Sequence, residues 1–404
     1  MTPGPPGEVQ VVDLFCGAGG ASAGFMRART PNTRFNVIGA VDVDPHACRT
    51  FERMHGVAPL QLDVTDLQRP EVLAEAASTW GWDPGAASVL IGCAPCQGFS
   101  SHRKKDRRPD GRNDLLGAFA EVIAQLRPDV VVMENVPEML SAKHWAHYAG
   151  WRERVQAAGY GVRARIYNLA GFGVPQERFR AVVVAAKGWR RFAMPHPDRT
   201  PSTYVTVRDA IGALPPLRAG EADPGDPMHV TSRHRANTVE LLRLIPADGG
   251  SRRSLPPGVG PKCFESVDGF RDVYGRLWWD RPAVAITARC RTPSCGRFTH
   301  PEQHRGLSVR EAALLQGFPA DFVFEGPFDD KFKQIGNAVS PTFGRALAEH
   351  LAAEWALDHG PGRRLPADDD PAADITAPLT KSFSSTIGHL KRQARSASQT
   401  APRA

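Results

Sequence analysis

The sequence predicts an α/β protein built on a parallel β-sheet. Short apolar, β-rich runs recur through the first 186 residues, at 9–15, 37–41, 88–93, 129–133, 163–169 and 181–186. Segments with helical periodicity, such as residues 115–126, separate them, and this alternation is typical of parallel α/β sheets. The length of 404 residues, with 42 % hydrophobic and 23 % charged residues, suits one large and one smaller globular domain. A disordered, collagen-like or coiled-coil chain is excluded.

The pattern divides the chain into four parts. Residues 1–186 carry the strand and helix alternation, and residues 187–304 replace it with Pro, Gly and Arg clusters that predict a smaller, loop-rich domain. Residues 305–360 return to helical periodicity, at 308–316 and 342–357. Residues 361–404 are rich in Pro, Ala and Ser and hold seven Lys or Arg and four Asp. We expect these last residues to form a disordered basic tail.

Charge and cysteine content favour an intracellular protein with a polyanionic partner. The net charge is +7, which suits a polyanion. The first ten residues have no basic segment, and no apolar run approaches the roughly 18 residues of a membrane span. Seven cysteines are too few and odd in number for a secreted disulfide framework. We therefore expect a cytoplasmic protein with free thiols and no membrane association.

A glycine-rich turn follows the first predicted strand, in Asp13-Leu14-Phe15-Cys16-Gly17-Ala18-Gly19-Gly20. Glycines at a strand-to-helix turn let the backbone approach a nucleoside, but the third glycine of a pyrophosphate site is missing. Asp42 ends the next strand, where its carboxylate can accept bonds from ribose hydroxyls, and Asp63 lies near the expected end of a third strand, within reach of an adenine amino group. The alternative is a tight turn with two solvated carboxylates.

A thiol-containing segment, Gly92-Cys93-Ala94-Pro95-Cys96-Gln97, follows the strand at 88–93. It lies at the carboxyl edge of the predicted sheet, where open α/β folds bind ligands. A thioredoxin-like redox pair, or a zinc site completed by Cys290 and Cys295, remains an alternative. Residues 101–113 then contain six basic and two acidic side chains. They predict a loop that closes over a phosphodiester backbone, or else a solvated loop.

Two further polar motifs end or precede predicted strands. Glu134-Asn135-Val136-Pro137 follows the strand at 129–133, and a protonated carboxyl there can donate to a ring nitrogen. Asn135 could instead be a helix cap. Gln176-Glu177-Arg178-Phe179-Arg180 alternates two guanidinium groups onto one face. Such a pair could fix an acid and a carbonyl or phosphate oxygen.

In this order, the motifs resemble those of the bacterial DNA (cytosine-5)-methyltransferase family. Residues 13–25 resemble its S-adenosyl-L-methionine (AdoMet) loop, Pro95-Cys96-Gln97 its nucleophile motif and Glu134-Asn135-Val136 its acid motif. Gln176, Arg178 and Arg180 resemble its arginine motif. Two closing motifs are Arg310-Glu311 with Gln316-Gly317-Phe318-Pro319, and Gln334-Ile335-Gly336-Asn337-Ala338-Val339. The chain departs from many members at Cys93-Ala94, before the nucleophile motif, and at Asp42, where relatives often have Glu.

The resemblance implies a Rossmann-like, AdoMet-dependent methyltransferase fold. Residues 1–186 and 305–360 would form the two parts of the catalytic domain, and residues 187–304 a smaller, irregular target-recognition domain. The implied activity is methyl transfer from AdoMet to carbon 5 of cytosine in a specific double-stranded DNA sequence, with the target base flipped out. Cys96 would add to carbon 6 while Glu134 holds a proton toward N3.

The resemblance also implies roles for the remaining site residues. Arg178 would steady Glu134 and the base carbonyl, Arg180 would support the same cluster or the cysteine loop, and Asn135 and Gln176 complete the catalytic set. The expected cofactor contacts are Phe15, Gly17, Gly19, Gly20, Asp42, Val43, Asp63, Val64, Pro95, Asn337 and Val339. The expected DNA contacts are Ser100, Arg103, Lys104 and Arg112.

We expect a monomer without a metal, associated with the nucleoid through DNA, and a cognate restriction endonuclease is a candidate partner. A related enzyme acting on tRNA cytosine is a rival interpretation, but the Cys-Phe-Thr signature of such relatives does not occur between residues 187 and 281; the Cys-Phe pair there is followed by Glu265. The other rivals are a nucleic-acid-binding protein on a vestigial methylase fold and a thiol-disulfide oxidoreductase.

Overall fold

The protein is represented by a computed structural model that describes residues 7–94, 115–189, 191–261, 272–357, 360, 362–379 and 388. Six strands form the central sheet in the order β2-β1-β3-β4-β7-β5. Their bounds are β1 Glu8–Leu14, β2 Arg34–Val41, β3 Ser88–Gly92, β4 Val130–Asn135, β5 Tyr160–Asn168 and β7 Phe179–Lys187. Each of the six apolar runs in the sequence therefore forms a strand of this sheet.

The prediction of a parallel sheet is wrong for one strand. Strands β2, β1, β3 and β4 pair in parallel, but β7 is antiparallel to both of its neighbours, β4 and β5. Residues 169–178, which connect β5 to β7, hold a 3-10 turn (Leu169–Phe172) and the short strand β6 (Gln176–Glu177). Because a parallel pair needs a crossover of a dozen or more residues, this short connection makes β5 and β7 antiparallel.

The third strand that we expected before Asp63 is reduced to one bridge. Leu60 pairs in parallel with Val41, and its amide donates to the carbonyl oxygen of Ala40 at 2.9 Å. The chain then turns at Asp63 into a 3-10 helix (Val64–Gln68). Asp63 nevertheless lies at the same edge of the sheet as the end of β2.

Helices cover both faces of the sheet. On one face, α1 (Gly20–Met26) packs against α10 (Pro341–Trp355), which returns from the far end of the chain. A Cβ atom on Gly24 would lie 2.5 Å from the Arg345 nitrogen, so the two helices touch through this glycine. The other face is covered by α3 (Pro70–Trp80), α4 (Leu115–Leu126) and α5 (Trp145–Ala157). Helix α2 (Pro45–His55) follows β2.

A third apolar core lies in the second half of the chain. It includes residues of α6 (Val207–Ile211), α8 (Val309–Gln316) and α9 (Phe328–Asn337). This core draws on residues from both sides of the predicted boundary at 304 and 305. The other elements of this half are β8 (Ala222–Asp223), β9 (Asp226–Val230), α7 (Ala236–Arg243) and β10 (Ala283–Val284), and β10 pairs with β6.

Residues 362–379 differ from the disordered tail that the sequence predicted. Asp369 and Asp374 form ion pairs with Arg163 and Arg165 of β5. The Ile375 amide also donates to the Ala164 carbonyl oxygen at 2.8 Å. We call residues 362–379 the C-terminal strap, because they run along the edge strand β5. Within the part of the chain that the structure describes, no helix combines the length and apolarity that crossing a membrane requires.

Candidate active site

A cavity of about 400 Å³ opens at the carboxyl edge of the sheet. Its size is that of a small-molecule site. The ends of β1, β2, β3 and β4 line it, together with the end of α9. Nine of the expected cofactor residues line it, namely Phe15, Gly17, Gly20, Asp42, Val43, Asp63, Val64, Asn337 and Val339. Pro95 lies outside the described residues.

The glycine-rich turn forms one wall of the cavity. Gly17 and Gly19 have φ angles of 52° and 80°, and Phe15 also has a positive φ of 58°. Gly19 is the N-cap of α1 and is not among the residues that line the cavity; it lies against α2, because a Cβ atom there would collide with the His55 ring. At Gly20, a Cβ atom would collide with the carbonyl oxygen of Val339. The turn therefore brings the end of β1 against the segment that follows α9.

Asp42 and Asp63 line the cavity at the ends of their segments. The Asp42 carboxylate accepts hydrogen bonds from the amides of Gly17 and Asp44, each at 2.8 Å, and burial raises its pKa. Asp63 caps the following 3-10 helix by accepting from the amide of Thr65 at 2.9 Å. Between them, the Val43 side chain is 59 % exposed. Two carboxylates beside an exposed apolar side chain can hold a nucleoside by its hydroxyl and amino groups and by one ring face.

Asp13 is a buried acid of the cavity that our site prediction did not include. Its Oδ2 accepts from the Ser22 hydroxyl at 2.6 Å, and burial raises its pKa to about 7. Burial also raises the pKa of the thiols of Cys16 and Cys93 well above the usual range. The sequence signal that could have identified Asp13 is the presence of an acidic residue within the apolar run Val11-Val12-Asp13-Leu14. Lys333 and Gln334 also line the cavity and were not predicted.

Glu134 and Arg180 form an ion pair at the opposite end of the cavity. Arg180 Nε lies 2.8 Å from Glu134 Oε1, and both side chains are at most 14 % exposed. The Arg180 Nη1 donates to the carbonyl oxygen of Phe179 at 2.7 Å. We expected Arg178 to steady Glu134, but in the structure Arg180 makes this contact.

Arg178 and Gln176 instead tie the cavity to distant segments. Arg178 donates to the carbonyl oxygens of Ile286 at 2.8 Å and Gly336 at 3.2 Å. Gln176 donates to the carbonyl oxygen of Leu315 at 2.8 Å and accepts from the amide of Ile286 at 2.8 Å. These contacts hold β6 and β7 against the segment that follows β10 and against the ends of α8 and α9. Both residues are buried, and Arg178 lines the cavity.

The expected nucleophile lies just beyond the described chain. Asn135 Nδ2 donates to the carbonyl oxygen of Ala94 at 3.1 Å, and its Oδ1 accepts from the amide of Val136 at 2.8 Å. Ala94 and Leu115, the residues on either side of the gap at 95–114, both line the cavity. Cys96 and the expected DNA contacts Ser100, Arg103, Lys104 and Arg112 lie in this gap, outside the described residues.

The cysteines of the zinc interpretation do not assemble within the described residues. Cys93 lines the cavity, Cys290 is buried in the third core and Cys295 is exposed. Among residues with assigned positions, no group of three or more Cys, His, Asp or Glu side chains could hold a metal ion. The described cysteines are free thiols.

The fold matches solved structures of methyltransferases. A prophage-encoded protein of E. coli, described as a DNA modification methyltransferase, matches with a TM-score of 0.66 and 23 % identity over 86 % of this chain and 99 % of its own. The S. pombe Dnmt2 methyltransferase matches with a TM-score of 0.52 and 15 % identity over 85 % and 98 % of the two chains. At these identities, the likeness concerns the fold.

Sequence comparison is more specific. The Type II methylase M.HgiDII of Herpetosiphon aurantiacus is 35 % identical over 348 residues, which are 84 % of this chain and 94 % of the relative. The Type II methyltransferase M1.HphI of Haemophilus parahaemolyticus is 36 % identical over 84 % of this chain and 85 % of its own length. Residues 9–353 match the model of the C-5 cytosine-specific DNA methylase family. The chain therefore belongs to the C-5 cytosine-specific DNA methylases.

Proposed function

We propose that the protein transfers a methyl group from AdoMet to carbon 5 of cytosine in a specific sequence of double-stranded DNA, through a transient bond between Cys96 and the base. The observation that carries this proposal is one cavity with two different ends. Asp42, Val43 and Asp63 stand at one end, and the Glu134–Arg180 pair stands at the other. The family membership supplies the reaction class.

The residues of the first end fit the adenosine of AdoMet. The Asp42 carboxylate would accept from the ribose hydroxyls, and Asp63 would accept from the adenine amino group. The side chains of Val43 and Phe15 would contact the ring faces, and Asn337 and Val339 would close the cavity from the end of α9. AdoMet, when bound, supplies an electrophilic methyl group on a sulfonium.

The second end supports activation of the pyrimidine. A bond from the Cys96 sulfur to carbon 6, with the Glu134 proton held toward N3, makes carbon 5 nucleophilic enough to take the methyl group. A base then removes the hydrogen of carbon 5, and the bond to sulfur breaks, which restores the aromatic ring and the thiolate. Arg180 would hold Glu134 in place, while Arg178 and Gln176 would keep the wall rigid. Asn135 would position the start of the cysteine segment through Ala94.

DNA contacts and partners follow from the charge and from the relatives. The target atom lies inside a duplex, so the base must be flipped out to reach Glu134. The basic residues Arg103, Lys104 and Arg112, with Ser100, would contact the phosphodiester backbone beside the flipped base. The Type II names of the relatives support a role in restriction-modification, with a cognate endonuclease as the functional partner. We propose a cytoplasmic monomer, with residues 187–304 as the target-recognition domain.

A trapping experiment tests the covalent scheme. Purified protein is incubated with AdoMet and a duplex DNA that contains the target sequence. The target cytosine carries fluorine in place of hydrogen at carbon 5, so the step that removes this hydrogen is blocked. The target site is first located by bisulfite sequencing of DNA from cells that express the protein. We expect a protein–DNA adduct that survives denaturation, and its loss in Cys96→Ala.

The matched control is Cys93→Ser, because Cys93 also lines the cavity but has no role in the proposed bond. This variant should still form the adduct. An adduct that persists in Cys96→Ala, or one that is lost in Cys93→Ser alone, would contradict the proposed nucleophile.

A further inference from the structure

Acidic and thiol side chains from four adjacent strands line the carboxyl edge of the sheet. Asp42 follows β2, Asp13 lies in β1, Cys93 follows β3 and Glu134 lies in β4, and all four line the cavity. The register pairs Asp13 with Ala40 of β2 and Ile91 of β3, and Ile91 with Val132 of β4, so Asp13 lies two residues before the level of Asp42, Cys93 and Glu134. Neighbouring strands are about 4.8 Å apart, so Asp13 stands one strand from Asp42 and two strands from Glu134.

This order locates the transferred methyl group along the cavity. In the proposed function, Asp42 holds the ribose and Glu134 holds the cytosine ring. The sulfur joins the ribose to the methyl group, so it must lie between these two strands, above β1 and β3. Among the described residues of these two strands that line the cavity, Asp13 is the one with a carboxyl group.

The cationic side chains of the described lining are already engaged. Arg180 pairs with Glu134, and Lys333 pairs with Asp44. Arg178 donates to main-chain carbonyl oxygens. The hydrogen-bond donor found for Asp13 is the neutral Ser22 hydroxyl, and the Asp13 side chain is buried. Its negative charge is therefore not balanced by the cations of this lining.

We propose that Asp13 is a positioning residue that attracts the positively charged sulfur of the methyl donor, so that the site prefers AdoMet to its product S-adenosyl-L-homocysteine, whose sulfur is neutral. This proposal rests on the proposed function. A buried carboxylate interacts with a nearby cation more strongly than an exposed one does, because the surroundings screen less. The preference favours release of the product after each turnover.

The same geometry makes donor binding dependent on pH. Burial, together with Asp42 on the neighbouring strand, raises the pKa of Asp13 to about 7, although the Ser22 hydrogen bond acts in the opposite direction. The other titratable groups around it are the thiols of Cys16 and Cys93, which stay protonated because burial raises the pKa of each, and Glu134 beyond Cys93. A cation near Asp13 lowers its pKa, so donor binding releases a proton below neutral pH. AdoMet affinity should therefore rise as pH increases through about 7, and level off above it.

Calorimetric titration of the full chain with AdoMet and with S-adenosyl-L-homocysteine, from about pH 6 to about pH 8, tests this proposal. For Asp13→Asn we expect AdoMet affinity to fall about tenfold, with a much smaller change for the product. The pH dependence of the ratio of the two dissociation constants should disappear. Asn keeps the acceptor for Ser22, and any titration of the ligands' own amino groups persists in the variant and can be subtracted.

Asp42→Asn is the matched control, because both ligands carry the same ribose. At about pH 8, where Asp13 is ionised with or without its acidic neighbour, Asp42→Asn should weaken both ligands to the same extent and leave their ratio unchanged. An equal loss of both ligands in Asp13→Asn, or no loss, overturns the proposal. So does a ratio that does not vary with pH in the unmodified protein, a measurement that needs no variant to fold. If the unmodified protein binds neither ligand, the proposed function itself fails.

Discussion

Arg180 sets the position of the Glu134 carboxylate, because its Nε lies 2.8 Å from Oε1 in a nearly buried pair. We predict that Arg180→Gln lowers the rate of methyl transfer by about 10- to 100-fold, the equivalent of one lost charge-assisted contact of about 1.5–3 kcal/mol. Single-turnover methylation measures this rate, and calorimetry should show an unchanged AdoMet affinity. Arg154→Gln, on the exposed side of α5, serves as the control. A normal rate in Arg180→Gln would mean that Glu134 does not need this partner.

The sequence placed Arg178 and Arg180 on one face but could not assign their partners. Arg178 lies against the carbonyl oxygens of Ile286 and Gly336, more than 100 residues away in the chain. Only the packing of these distant segments decides which guanidinium remains beside Glu134. Asp42 was predicted to line the site because it follows the end of a strand, a local property. Asp63 also lines the site, although the strand expected before it is reduced to one bridge.

At the scale of the element, α8 depends on one buried charge network. Ser308 and Glu311 form a capping box at its start, and Arg305 donates to both carboxylate oxygens of Glu311 at 2.7 Å. Burial alone would raise the pKa of Glu311, but Arg305 and neighbouring donors lower it to about 2. Glu311→Gln would leave the buried Arg305 charge without its partner. We predict a loss of about 3–5 kcal/mol in the free energy of unfolding at neutral pH.

Denaturant unfolding measures this loss, and the pH dependence gives a second check. A carboxyl whose pKa is lowered by folding stabilises the protein above its unfolded pKa of about 4.3, and this contribution is lost as pH falls toward the folded value of about 2. The difference in the free energy of unfolding between the unmodified protein and Glu311→Gln should therefore decrease as pH falls from about 4.3 to about 2. Glu153→Gln, exposed on α5, should leave stability unchanged. Equal stability of Glu311→Gln and the unmodified chain would show that the network adds nothing.

The existence of the elements was predictable, but the direction of one strand was not. The apolar runs that became β4 and β7 look alike, since a buried strand has the same pattern in either direction. The ten-residue connection between β5 and β7, which lacks a crossover helix, decides the direction of β7. The helix predicted at residues 308–316 is confirmed as α8, because its cap residues Ser308 and Glu311 are local signals.

At the scale of the whole molecule, the C-terminal strap is held by ion pairs that amino-acid composition does not predict. The Pro, Ala, Ser and charged residues of positions 361–404 predicted a disordered tail, since few apolar side chains are present there to be buried. Asp369 and Asp374 instead meet Arg163 and Arg165, which lie about 200 positions earlier on the edge strand β5. An ion-pair cluster between such distant positions leaves no periodic trace in the sequence. The same holds for the packing of α10 against α1, because the family resemblance implied only that residues 305–360 complete the catalytic domain.

The strap should stabilise the whole fold, because Asp369 and Arg163 are 3 % and 11 % exposed and their atoms lie 2.7 Å apart. We predict that Asp369→Asn reduces the free energy of unfolding by about 1–3 kcal/mol, since Arg163 and Arg165 lose one of the two carboxylates that they share and keep Asp374. Burial opposes ionisation of Asp369, but Arg163 and Arg165 hold its pKa below the usual range. The difference from the unmodified protein should therefore be full above about pH 4 and fade as pH falls below it. Asp368→Asn, whose side chain is 58 % exposed, is the control and should change stability by less than about 0.5 kcal/mol. Equal effects of the two variants in thermal and urea unfolding would show that the strap lies on the sheet without stabilising it.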